Sequence, residues 1–182
     1  MGKKVTDRQL LAEHFTEAQP LRLLSITMSD RASDGTYEDK SGPRLCEHLQ
    51  SFFEGSGIAI AIDSLILSDD ADTLEVELRK ACVDGAHVIL TTGGTGAGPR
   101  DITTDVVLKV ADKVIPGIME VVRMKYGVDK PCALLSRTVA ATMGRTAVYT
   151  LPGSRKGVDE YMGEILKSME HLILVLNGLE VH

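Results

Sequence analysis

The sequence predicts an α/β protein of three layers, α/β/α, built on a mostly parallel central sheet. Strand-length apolar runs alternate with helical patterns along the first hundred residues, the mark of βαβ units. Val88-Ile89-Leu90 is apolar without a break, which suits a strand covered by helices on both faces. At 182 residues the chain has the length of one domain with room for a sizeable core.

Each element follows from a local pattern. Leu10, Leu11, His14, Phe15 and Ala18 recur at helical spacing, so a short helix over 6–18 is expected, capped by Thr6 or Asp7 and ended by Pro20. Its apolar stripe is narrow. Residues 1–20 therefore read as a helical arm laid on the body or on a neighbouring subunit, and 21–182 as the single domain. Residues 21–28 form an apolar run of strand length, followed by a polar loop over 29–38. A helix over 41–54 carries Pro43 in its first turn, where a missing N–H costs nothing, and stops at Gly55 and Gly57. A second strand over 58–67 leads to a helix over 71–83, with Leu74, Leu78, Ala81 and Cys82 on one side and Gly85 closing it. The third strand, 88–92, runs into Gly93-Gly94-Thr95-Gly96-Ala97-Gly98-Pro99-Arg100-Asp101. Helices over 104–113 and 116–126 follow, then a loop holding Gly127 and Pro131. Two short strands, 138–143 and 146–151, flank Met143-Gly144-Arg145, and a final helix runs over 156–175.

Composition excludes several classes. Hydrophobic residues make up 43% and charged residues 25%, unlike a disordered or collagen-like chain. No run approaches the ~18 apolar residues of a membrane helix. The net charge of −6 argues against a nucleic-acid backbone as main partner, yet leaves room for small anions that need only a few donors. Cys46, Cys82 and Cys132 lack C-x-x-C spacing and read as reduced, mostly buried thiols. His14, His48, His87, His171 and His182 lack zinc spacing. Lys3 and Lys4 are followed by Asp7, Arg8 and Gln9, so no signal-peptide core is formed and a cytoplasmic protein is expected.

In open parallel sheets, ligands bind outside the carboxyl ends of the strands. All three strand exits carry polar chemistry: Ser29-Asp30-Arg31, then Ser68-Asp69-Asp70, then the glycine loop with Asp101. Four glycines in six residues permit positive φ and close approach of backbone N–H groups to an anion. A turn that needs glycine for geometry alone is the plain alternative. Gly93 and Gly98 have Walker A spacing, but Pro99-Arg100 stand where Lys-Ser or Lys-Thr is required, and Pro99 also breaks G-x-G-x-x-G. Asp69 and Asp101 have helix capping as their ordinary role, although Asp70, Asp72 and Thr103 are free to cap instead. Together beside a phosphate-shaped loop they read as a Mg²⁺ site, since Mg²⁺ is typically held by one or two carboxylates plus substrate phosphates. Arg31 and Arg100 are candidate phosphate forks or surface ion-pair partners, and Arg137 and Lys156 add positive charge. Tyr37 packs the loop or stacks on a ligand. No Ser-His-Asp or Cys-His arrangement stands out.

These motifs resemble a known family. Ser29-Asp30-Arg31-Ala32-Ser33, with Gly35, Tyr37 and Asp39 behind it, is similar to the first motif of the molybdenum-cofactor biosynthesis family of MogA and the gephyrin G domain. Thr91-Thr92-Gly93-Gly94-Thr95-Gly96 with Arg100-Asp101-Ile102-Thr103 resembles the second. Leu135-Ser136-Arg137 and Leu151-Pro152-Gly153-Ser154 resemble the third and fourth. The match runs over about 21–176; the Gly-Gly-Thr-Gly piece alone is shared with MoaB-type proteins and MoeA domains.

The resemblance implies a MogA-like fold and molybdopterin adenylyltransferase activity: AMP passes from Mg-ATP to the terminal phosphate of molybdopterin, and pyrophosphate leaves. It places the two family aspartates on Asp69 and Asp101 as catalytic and Mg²⁺-binding residues. It assigns Gly93, Gly94, Thr95 and Gly96, with Ser29, Asp30, Arg31 and Arg100, to nucleotide and phosphate. Ser136, Arg137, Pro152, Gly153 and Ser154 are assigned to the pterin. A homotrimer and a molybdate-inserting MoeA-type partner are implied as well. The alternative is a non-catalytic, MoaB-like molybdopterin-binding or scaffold protein of the same fold. Two positions depart from the family pattern: Thr104 and Arg155 stand where proline is usual.

Overall fold

Residues 5–179 are described by the structure, a computed structural model. Lys3, Lys4 and His182 lie outside the described residues. The elements run α1 (Asp7–His14), β1 (Leu21–Met28), α2 (Asp30–Ser33), α3 (Ser41–Phe53), β2 (Ile60–Leu67), α4 (Ala71–Val83), β3 (Val88–Thr92), α5 (Thr103–Val110), β4 (Lys113–Val114) and α6 (Pro116–Gly127). A 3-10 turn (Pro131–Leu135), β5 (Ala140–Met143), β6 (Thr146–Leu151) and α7 (Arg155–Asn177) complete the chain.

The six strands form one sheet in the order β2-β1-β3-β6-β5-β4. β2, β1, β3 and β6 are mutually parallel; β5 and β4 add an antiparallel edge. The sheet divides the core. Period-2 alternation sends Val88, Leu90, Tyr149 and Leu151 to one face, under α1, α3, α6 and α7. It sends Ile26, Ile89 and Val148 to the other face, under α4 and α5. β3 is buried at all five positions, as its unbroken apolar run requires. The three-layer α/β/α architecture read from the sequence is therefore present.

Several local expectations change. Thr6 caps α1 in a capping box with Gln9, but the helix ends at His14 because Phe15 turns extended. Leu11 and Phe15 are completely buried within the main core, and Arg8 bonds Glu170 of α7 at 2.7 Å. Of the two placements read for this arm, on the body or on a neighbouring subunit, it takes the first, and it enters the core itself: two large side chains suffice for a narrow stripe. The helix expected over 104–113 stops at Val110, since Asp112 and Ile115 donate their N–H groups to Thr142 and Ala140 and draw the chain into the sheet as β4. The polar loop after β1 contains a single helical turn, α2, capped by Ser29. The cysteines are free, with Cys46 and Cys82 half-buried and Cys132 exposed on the 3-10 turn rather than buried.

Candidate active site

Because β1, β2, β3 and β6 are parallel, their carboxyl ends share one rim of the sheet. The exits of β1 and β2 are tied together there. The Asp30 N–H donates to the Asp69 carboxylate at 3.4 Å, and the Asp69 N–H donates to the Asp30 carboxylate at 2.9 Å. Asp70 caps α4 by accepting from the Thr73 N–H at 2.8 Å, which leaves Asp69 free of the capping role. Burial pushes the Asp69 carboxyl above the usual aspartate value; the negative charges of Asp30 and Asp101 push it the same way, against the Asp30 N–H and Arg100.

The glycine loop is shaped by two separate demands. Gly93 and Gly94 have φ of +97° and +62°, and a Cβ at Gly93 would run into the Met28 carbonyl oxygen. Gly96 and Gly98 do not adopt positive φ. They are needed for space, since a Cβ on either would come within 2.8 Å of the Asp101 carboxylate. Asp101 accepts from the Gly98 N–H at 2.8 Å, so it is a structural member of the loop as well as a free acid. Thr103 does not cap α5. It is the first helical residue, Ile102 occupies the cap without a side-chain bond, and the Thr103 and Thr104 hydroxyls are buried without a partner. The Thr103 N–H instead holds the Gly94 carbonyl at 3.0 Å. Among the described residues, the N–H groups of Gly94, Thr95, Gly96 and Ala97 have no protein acceptor. Four successive N–H groups without a protein acceptor at a strand exit are the donor set that an anion-binding turn requires, and the segment is called the cradle below.

Three adjoining cavities open on this rim. The first, of about 300 Å³, is lined by Ser29, Asp30, Arg31, Asp69, Gly94, Arg100 and Asp101. Asp69 and Asp101 therefore face one space, and Arg100 bridges to Asp30 at 3.3 Å. The second, of about 630 Å³, is lined by Gly93–Gly96 together with Ser136, Pro152, Gly153 and Ser154. Residues expected at the nucleotide and residues expected at the pterin thus line one cavity. Arg137 contributes by its backbone alone: its N–H holds the Thr95 carbonyl at 3.0 Å, while its side chain does not line the cavity and pairs with Asp105. The third, of about 380 Å³, lies between Ser29, Arg31 and Tyr37 on one side and Gly153, Ser154 and Arg155 on the other. Gly153 binds the cavities together, since a Cβ there would stand 3.2 Å from the Gly93 Cα. A larger cavity, about 810 Å³, is on the opposite rim and contains none of the expected site residues.

Several lining residues were not expected. Lys130, Cys132, Glu160 and Tyr161 line the second cavity, beside Leu135 of the third motif. Lys130 pairs with Glu160, and this raises the lysine above its usual value. Tyr161 donates to the Ser136 hydroxyl at 2.8 Å, and Thr138 joins the same group at 3.1 Å from the Tyr161 oxygen. Glu160 is one helical turn beyond Lys156, the basic residue noted near the start of α7, and that spacing was the available signal. Lys130 and Cys132 arrive from a loop distant in sequence, which local patterns do not announce.

The carboxylates suit the Mg²⁺ implied by the resemblance. The first cavity offers hard oxygen donors from Asp69 and Asp101 and no imidazole or thiol. Their crowding with Asp30 is an excess of negative charge that a cation relieves. Among the described residues no set of three His, Cys, Asp or Glu side chains is placed to hold a metal ion.

Residues 25–171 match a protein family described as a probable molybdopterin binding domain. The molybdopterin adenylyltransferase of Helicobacter pylori strain J99 is 32% identical over 161 residues, 88% of this chain and 90% of its own. That of Escherichia coli K12 is 35% identical over 156 residues, 85% and 78%. Among solved structures, MogA superposes with a TM-score of 0.78 at 30% identity, covering 85% of this chain and 99% of its own. The tungsten cofactor synthesizing protein MoaB from Pyrococcus furiosus gives 0.76 at 30%, covering 86% and 97%. Four parallel strand exits, a cradle of free N–H groups and paired aspartates on one rim are thus found in a chain that belongs to the molybdopterin-binding domain family of molybdenum cofactor biosynthesis.

Proposed function

We propose that this protein is a molybdopterin adenylyltransferase, which transfers AMP from ATP to the terminal phosphate of molybdopterin and releases pyrophosphate. Relatives of that name align over most of the chain. The observation that carries the reading is the placement of Asp69 and Asp101 on one cavity, with Gly94 in its wall and the rest of the cradle lining the adjoining cavity that Asp101 also reaches.

The chemistry asks for positioning and charge stabilisation more than for proton transfer. A phosphate oxygen of molybdopterin forms a bond to the α-phosphorus of ATP. The bond from that phosphorus to the α,β-bridging oxygen breaks, and pyrophosphate leaves with the electron pair. The nucleophile is an ionised phosphate at neutral pH, so no general base is required, consistent with the absence of a histidine from the three rim cavities. The free N–H groups of residues 94–97 hold phosphoryl oxygens. Ser136, fixed by Tyr161 and Thr138, orients the substrate across the cavity. Asp69 and Asp101 would hold Mg²⁺, which when bound neutralises charge on the phosphates. A homotrimeric assembly, a cytoplasmic location and delivery of the product to a molybdate-inserting MoeA-type partner complete the proposal. No helix among the described residues is long and apolar enough to cross a membrane.

MoaB structures resemble the chain as closely as MogA does, so a molybdopterin-binding role without catalysis is the competing reading. Pure protein incubated with labelled ATP, Mg²⁺ and molybdopterin separates the two, since only the enzyme forms adenylylated pterin. In Asp101→Asn the amide oxygen still accepts from Gly98, so the melting temperature is expected to stay near that of the parent. AMP transfer is expected to fall at least about 100-fold. Near-normal turnover by this variant would remove Asp101 from the metal site.

A further inference from the structure

The third rim cavity has a charge of its own. Arg31, Lys40 and Arg155 line it, brought together from the β1 exit, the approach to α3 and the start of α7. In a chain with 26 acidic and 20 basic side chains, most cations near the surface find a carboxylate. These three do not find a firm one. Among the described residues Arg31 and Arg155 have no ion-pair partner, and Lys40 reaches only the exposed Glu38 at 3.9 Å. The Arg31 guanidinium lies over the Tyr37 ring, 5.0 Å from its centroid, which holds it at the cavity without neutralising it. The one acid of the cavity wall, Asp39, already accepts from Thr27, Ser41 and Gly42 at 2.7 to 3.1 Å. Its carboxylate is held by these neutral donors rather than by an ion pair, and the three cations of the wall outnumber it.

We infer that Arg31, Lys40 and Arg155 form a receiving lobe for the β,γ-phosphates of ATP, the part that leaves as pyrophosphate. The inference rests on the adenylyltransferase reading and adds a division of labour to it. Arg31 also lines the carboxylate cavity, so a polyphosphate chain that starts at Asp69 and Asp101 passes into the basic lobe by way of Ser29 and Arg31. The break at the α,β-bridging oxygen leaves the departing electron pair on pyrophosphate, and three cations stabilise that charge. The family resemblance has proline where this chain has Arg155, so the third member of the lobe is a feature of this chain.

The test is titration calorimetry of the full chain with inorganic pyrophosphate, without divalent metal. The acids of the first cavity then repel the ligand, and binding reports the basic lobe. Arg155→Ala is expected to weaken pyrophosphate binding about tenfold, with Arg155→Lys in between. Thermal melting of both variants checks that they fold as the parent does. In the AMP-transfer assay Arg155→Ala should raise the KM for ATP and leave that for molybdopterin unchanged. Unaltered pyrophosphate affinity in Arg155→Ala overturns the proposal. So does equal, equally Arg155-dependent binding of sulfate, which would make the lobe a general basic patch. A rise in the KM for molybdopterin alone would give the lobe to the pterin phosphate and also overturn it. The calorimetry stands apart from turnover: a parent protein that binds pyrophosphate through Arg155 but transfers no AMP would sink the adenylyltransferase reading and not the anion lobe.

Discussion

At the scale of single residues, Gly93 shows how tightly the cradle is specified. Its φ of +97° lies where side chains are rare, the Met28 carbonyl closes one side, and Gly153 packs behind it. Gly93→Ala is expected to cost about 3 kcal/mol or more, from backbone strain together with a clash against the Met28 carbonyl, which turning a side chain cannot relieve. Urea unfolding measures it, and a loss below about 1 kcal/mol would show that the loop has room to give. The glycines and aspartates were legible in the sequence because their residue types are unusual at a strand exit. The dual part of Asp101 was not. Spacing along a chain cannot tell that a carboxylate folds back to a glycine three positions earlier. Arg137 illustrates the converse: its motif drew attention to it, yet its charge goes to Asp105.

At the scale of elements, helix starts decide where the site residues stand. α3 begins at Ser41, but the residue before it makes no side-chain cap. Asp39 does that work one position earlier, accepting from both Ser41 and Gly42 N–H groups and from Thr27 of β1. Burial pushes this carboxyl up, and the hydrogen bonds from Thr27, Gly42 and Ser41 outweigh it and bring it below the usual value. Folding therefore favours the ionised form. The stability that Asp39 contributes is present above the unfolded value of 3.8 and is lost as pH falls through the lower folded one. Asp39→Ala is expected to destabilise by about 2 kcal/mol at pH 7, and the gap should narrow below about pH 4. Denaturant unfolding at both pH values checks it; a constant gap would place the loss in packing rather than charge. Long elements with clear periodicity were readable, and the helix expected from residue 116 does start there, with Pro116 in its first turn. α2 and β4, at four and two residues, are shorter than the period that would reveal them. Both exist because tertiary partners, Asp69 and β5, stabilise them.

For the whole molecule, the sheet order places the two core faces and the shared rim at once. The alternation of strands and helices was enough to foresee three layers. It was not enough to foresee that α1 is part of the larger core. Phe15 is fully buried with edge contacts to His14 and His87, and its burial joins α1 to the body. Phe15→Ala is expected to cost about 3–5 kcal/mol in urea unfolding; a loss near zero would return the segment to the role of a detachable arm. Gly93 and Gly153 meet back to back where the turns after the neighbouring strands β3 and β6 leave the sheet. The two turns that line the second rim cavity are therefore not modular. A redesign that enlarges one turn to accept a bulkier substrate displaces the other too, so the two can only be altered in concert.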